Sequence, residues 1–267
     1  MSSVSKPSVI SDALLLDSTP SLTAEPGALR GGASMVIHTR QARSLVQGRR
    51  ELNSGARIGR FAGLLDFGKQ VRLVWNAVEM DDPWADWGLI KIASALARAR
   101  SEIEADQQRV GELVNARRGI KLQLGESSAP VEVPLTFANP YGYQGAYLVA
   151  DYDNLVVTVL TAKYLALLKP SQGTQIIERT AHYIRSAFAV PFWWKNCGVG
   201  RADARYKTQR AVLAESKMGA LPEEILEMTV RAEYAPSVKS KTKVRRRDET
   251  PLVKVAIKSA SLRPIDS

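Results

Sequence analysis

GGASMVIHTRQARSLVQGRR, residues 31–50, joins a short apolar alternation to a cluster of arginines, with one of only two histidines at the join. From Ser34 to Thr39 the period is two. Met35, Ile37 and Thr39 fall on one face and Ser34, Val36 and His38 on the other, the pattern of a half-buried strand. RQARSLVQ then reads as a short helix stopped by Gly48 and the polar ELNSG turn. Two interpretations stay open: a buried strand leading into an ordinary solvated helix, or a ribbon that carries side chains into a nucleic-acid groove.

In a strand laid into the major groove, alternate side chains reach base edges while the other set packs on the helices behind. Ser34, His38 and Arg40 would supply the groove face, and Met35 and Ile37 would pack inward. Arg43, Arg49 and Arg50 would flank the ribbon as phosphate contacts. Asn53 and Ser54 can cap the following helix, whose free N–H groups, with Arg57 and Arg60 nearby, form an anion site. A second ribbon candidate lies in GIKLQLGESSAPVEVPLTF, a hairpin pattern expected within 119–137. There Lys121 and Gln123 share one face, beside the shorter basic flank Arg117-Arg118. Ordinary edge strands with polar outer faces fit both segments as well.

The charge of the whole chain favours anionic partners. Its 267 residues carry 37 Lys+Arg against 27 Asp+Glu, a net charge of +10, which favours nucleic acid or a membrane surface but says nothing about fold. No apolar run approaches the ~20 residues that a spanning helix needs. The first residues lack the charged and apolar regions of a secretory signal. With one cysteine, Cys197, no intrachain disulfide or Cys/His zinc spacing can be drawn. A reducing, cytoplasmic setting is the expectation.

Residues 1–30, rich in Ser, Thr and Pro, read as a flexible arm. Residues 31–83 read as a strand–helix–helix unit, its second helix marked by Leu64, Val71, Val74 and Val78. A proline-free run from Trp84 predicts a helix of about thirty residues, with Trp84, Ile90, Leu96, Ile103 and Val110 on its apolar side. Its alternating charges read as a solvated outer face. NPYGYQGAY reads as a loop. Helices are then expected at Asp151 to Leu168, Gly173 to Phe188 and Ala202 to Met218, closing a helical domain over 84–236. From 237 to 267 the chain becomes a basic tail with Lys239, Lys241, Lys243 and Arg245 to Arg247. The fold class is mainly α with short β elements.

An enzyme would need a nucleophile–base pair, a metal cluster or a phosphate cradle. His38, His182 and Cys197 have no recognisable metal spacing, and GxxxxGK[ST], GxGxxG, GxSxG and HExxH are all absent. The acidic pairs Asp81-Asp82, Asp151/Asp153 and Glu223-Glu224 are expected at helix ends, as caps or dipole partners. No catalytic residue, cofactor or metal is expected.

HTRQARSLVQGR, DDPWADWGLIKI and VPLTFANPYGYQGAYLVADYDNLV, in that order and spacing, resemble the AcaB-like transcriptional activators of conjugative plasmids and integrating conjugative elements. The resemblance runs from about Ala28 to Ser237, and NPYGYQGAYLVADYD is its most specific part. It implies an atypical ribbon-helix-helix protein that binds promoter DNA, as a homodimer, and switches on conjugative-transfer genes. It places the unit at Ser34 to Met80, with Ser34, His38 and Arg40 on the ribbon. RNA polymerase or other regulators are candidate further partners. A rival expectation is an accessory protein of the conjugation machinery, binding single-stranded DNA or another protein through the aromatics of NPYGYQGAY and PFWWKN.

Overall fold

The structure is a computed structural model of the chain, and it describes residues 32–49, 61–116 and 124–239. It is mostly helical, with one two-stranded sheet. β1 (Ala33–Ile37) runs into α1 (Arg40–Gln47), as the alternation predicts, but the strand stops at Ile37. Thr39 is extended and caps α1, its hydroxyl accepting from the Ala42 N–H at 3.2 Å. Arg40 therefore opens the helix and is not a strand residue. Gly48, at φ 72°, ends it.

β1 pairs antiparallel with β2 (Val131–Leu135) of the same chain, in the register Met35 with Val133, Val36 with Glu132 and Ile37 with Val131. The second arm of the expected hairpin thus has β1 as its partner across about a hundred residues. Residues 120–123 of its first arm lie outside the described residues.

α2 (Leu64–Glu79) buries Leu64, Phe67, Val71, Val74 and Val78, one apolar stripe at helical spacing. α3 (Pro83–Asn115) has 33 residues and spans about 50 Å. Asp82 caps it, accepting from the N–H groups of Trp84 and Ala85, and Pro83 sits where its missing N–H costs nothing. Two of its acids overturn the reading of a wholly solvated charged face, because Asp86 and Asp106 are 0% and 1% exposed.

α4 (Pro140–Tyr164) begins eleven residues before the expected Asp151. NPYGYQGAY is its cap and first turns, not a loop. Asn139 accepts from the Gly142 N–H at 2.9 Å, and Pro140 follows in the first turn. Its glycines serve packing: a methyl group on Gly142 would collide with the Phe137 ring, and one on Gly145 with Phe67. α5 (Pro170–Ala189) leads into a 3₁₀ turn at Val190–Trp193. The helix expected over 202–218 is two, α6 (Arg201–Arg205) and α7 (Gln209–Met218). Lys207 breaks it at φ 47°, and Thr208 opens the second. α8 (Glu223–Leu226) closes the order, with Glu223 and Glu224 in its first turn.

A single apolar cluster runs through these elements, from Met35 on β1 to Val159 on α4, Phe188 on α5 and Ala232. Two buried ionic groups tie distant segments to α3. Asp106 accepts from Arg179 of α5 at 2.6 and 2.8 Å and from the Thr180 hydroxyl at 3.0 Å. Asp86 accepts from Arg201 at 2.6 Å and from Arg231 at 3.0 Å. A charge this deep is tolerated only when paired, so each acid fixes the arginine it meets.

Candidate nucleic-acid interface

The solvent face of the small sheet follows from strand alternation. Met35 and Ile37 are buried, while Ser34, Val36 and His38 are exposed, Val36 at 48%. Directly opposed residues of an antiparallel pair share a face. β2 therefore adds Glu132 beside Val36 and Pro134 beside Ser34, both exposed. The sequence pattern had given no warning that a carboxylate stands on this face, because the pairing brings it from a distant segment.

What holds the strand–helix junction is Asp153. It lies in the middle of α4, 1% exposed, so the expectation that it caps a helix start is overturned. Its carboxylate accepts from the His38 N–H at 2.7 Å, the Thr39 N–H at 2.9 Å and the Thr39 hydroxyl at 2.6 Å. Three charge-assisted hydrogen bonds on one turn fix where the His38 side chain and the start of α1 emerge. Asp151 is the other acid of that motif, and burial pushes its carboxyl above the usual carboxylate range. The Gln107 side chain donates to its backbone carbonyl at 2.9 Å.

Arg40, expected on the groove face, and Arg43, an expected phosphate contact, lie one turn apart on the exposed side of α1, and Arg49 follows its cap, also exposed. None of the three pairs with a carboxylate among the described residues. By contrast Arg109, Arg179, Arg201, Arg205 and Arg231 all do. Arg50, Arg57, Arg60, Lys121 and Gln123 lie outside the described residues, as do Asn53 and Ser54.

The chain leaves and re-enters this region at one point. Arg49 and Phe61 exchange backbone hydrogen bonds of 3.0 and 3.2 Å, closing residues 50–60 at their base. Gly48 and Gly63 touch there, and a side-chain carbon on either would overlap the backbone of the other. The Phe61 ring meets two guanidinium groups, Arg49 at 5.4 Å and Arg185 of α5 at 5.5 Å. Arg185 was not among the residues singled out from the sequence. Within an amphipathic helix it looks like any surface charge, and only folding brings it beside Phe61.

Beside His38, a cavity of about 410 Å³ is lined by Thr39, Val157, Leu160, Thr161 and Tyr164, among others. The aromatic stretches are largely structural. Tyr141 and Trp194 are buried, and Trp194 donates to Asp82 at 3.2 Å. Trp87 and Trp193 meet edge to face, and the Lys91 ammonium stands 3.7 Å from the centre of each ring. Tyr147 and Phe192 remain exposed. Among the described residues, no three His, Cys, Asp or Glu side chains are grouped so as to hold a metal ion, and no helix is long and apolar enough to cross a membrane.

Residues 25–239 match the family described as "Transcriptional regulator AcaB". A search of curated proteins finds no match. Among solved structures, the crystal structure of selenomethionine-containing AcaB from uropathogenic E. coli is similar. The identity is 14%, over 74% of this chain and 95% of that chain, with a TM-score of 0.49.

Proposed function

This chain belongs to the AcaB family of transcriptional regulators, and we propose that it regulates by binding promoter duplex directly, activating conjugative-transfer genes with β1 in the major groove. The observation that carries this reading is the outward face of the run from Ser34 to Arg49, with Ser34, Val36, His38, Arg40, Arg43 and Arg49 exposed. The run's backbone is clamped at the strand–helix turn by Asp153, and its arginines have no described carboxylate partner. Fixed donors beside unpaired cations are what base reading and phosphate contact require.

In this reading Ser34 and His38 reach base edges from the strand, Arg40 reaches them from the first turn of α1, and Val36 meets a thymine methyl group. Glu132 adds an acceptor that fits the cytosine amino group. Arg43 and Arg49 hold phosphates, with Arg50, Arg57 and Arg60 beside them in sequence. Lys121 and Gln123, outside the described residues, are the second candidate pair for base contacts. The edge of β1 away from β2 has no partner strand among the described residues, so a second copy can pair there and give a two-fold homodimer. The accessory reading through single-stranded DNA is weaker, since Tyr141 and Trp194 lie in the core.

His38→Ala or Arg40→Ala should cost about 1–3 kcal/mol of discrimination between target and scrambled duplex. Band-shift titrations at fixed salt measure it, and both variants matching the wild type would remove β1 from the groove. Sedimentation of the DNA complex gives the stoichiometry, and one copy per site would exclude the dimer.

A further inference from the structure

We propose that Arg185, on α5, grips the nucleic-acid backbone together with Arg49, the two guanidinium groups being held ready for one stretch of phosphates by the ring of Phe61. The inference rests on the duplex-binding reading above and adds to it a residue 136 positions away in sequence from Arg49. Both guanidinium carbons lie within 5.5 Å of the same ring centroid. Two like charges so placed repel, and the arrangement gains from an anion between or beside them.

Attraction to a ring face does not use up the N–H donors of a guanidinium group. Those donors keep the fork geometry that matches a phosphate oxygen pair. Neither arginine spends them on a described carboxylate. The arginines that tie distant segments to α3 do: Arg179 on Asp106, and Arg201 and Arg231 on Asp86. Phe61 itself is fixed, since its N–H and carbonyl both bond to Arg49 and Gly63 packs against Gly48 two residues on. The ring is therefore a positioned platform. Arg49 directly follows the cap of α1, the helix that Arg40 opens, and α1 packs against α5, which carries Arg185.

The test uses the full chain, a duplex that the protein enriches from a random-sequence library, and a scrambled duplex of equal length. Arg185→Ala should weaken both duplexes alike. The affinity lost between 50 and 200 mM salt should become about threefold smaller, the share of one phosphate contact. Arg185→Lys keeps the charge but not the fork. It should hold the salt dependence of the wild type while binding more weakly at every salt concentration. An unchanged salt dependence in Arg185→Ala, with a lowered Tm, would make Arg185 a staple for Phe61 and overturn the proposal. If Arg40→Ala still loses discrimination in that case, only the Arg185 contact fails. If no duplex is enriched at all, the duplex-binding reading fails with it.

Discussion

Asp153 shows how one side chain can set the geometry of a surface it never reaches. It is an acid on the apolar stripe of α4, among Val149, Tyr152 and Val156, and its three acceptor bonds are all spent on the turn at His38 and Thr39. Asp153→Ala strands two half-buried backbone donors and should destabilise the protein by about 1–3 kcal/mol, read from urea unfolding. Duplex discrimination should fall with it even where the variant stays folded, because His38 and Arg40 lose their anchor. Discrimination at the wild-type level in a folded variant would show that the turn holds its own shape. The inward and outward faces of residues 34–38 were legible from alternation alone, since burial follows the pleat. The role of Asp153 was not, since its partners lie 114 and 115 residues away. The available hint was a charge on an otherwise apolar helical stripe.

A buried helix cap makes the element scale sensitive to rising pH. Asp82 caps α3 while buried against Trp194, and desolvation raises its pKa from 3.8 to about 6, with the cap N–H groups and Arg201 opposing. The folded chain therefore holds this proton more tightly than the unfolded one. The cap contributes most below pH 4, and that stability is lost as pH rises through 6, by about 3 kcal/mol at the most. Asp82→Asn should flatten this slope, whatever its absolute stability. Urea midpoints of wild type and variant across pH 4.5–7 check it, and parallel profiles would contradict the assignment. The helices α1, α2 and α3 followed from periodicity and from the stops at Gly48 and Pro83. The start of α4 did not, because Gly and Tyr signal loops locally, whereas here Gly142 and Gly145 are required by Phe137 and Phe67 across the interface. The pairing of β2 with β1 was not legible either, because no local signal joins two strands about a hundred residues apart.

Across the whole molecule the excess of positive charge is not evenly available. Lys239 is already engaged, its ammonium 2.5 Å from Glu79 and its N–H on the Glu79 carbonyl. Such an exposed pair is worth at most about 1 kcal/mol, yet it neutralises the cation. Ending the chain after Lys239 removes Lys241, Lys243 and Arg245 to Arg247 and should lower affinity and salt dependence for target and scrambled duplex alike. Lys239→Ala alone should leave the salt dependence in place. Titrations at several salt concentrations separate the two, and a full-strength truncated chain would exclude the tail from binding. The net charge of +10 was legible at once and favours anionic partners. The charges that fold back on themselves, Arg201 and Arg231 on Asp86 and Arg179 on Asp106, were indistinguishable from the rest before folding. The pinched base at Gly48, Arg49, Phe61 and Gly63 has a corollary for chain length. A segment whose ends meet can change length without pulling the flanking elements apart, so inserting a few glycines between Arg49 and Phe61 should leave the stability read from urea unfolding within about 1 kcal/mol of the wild type.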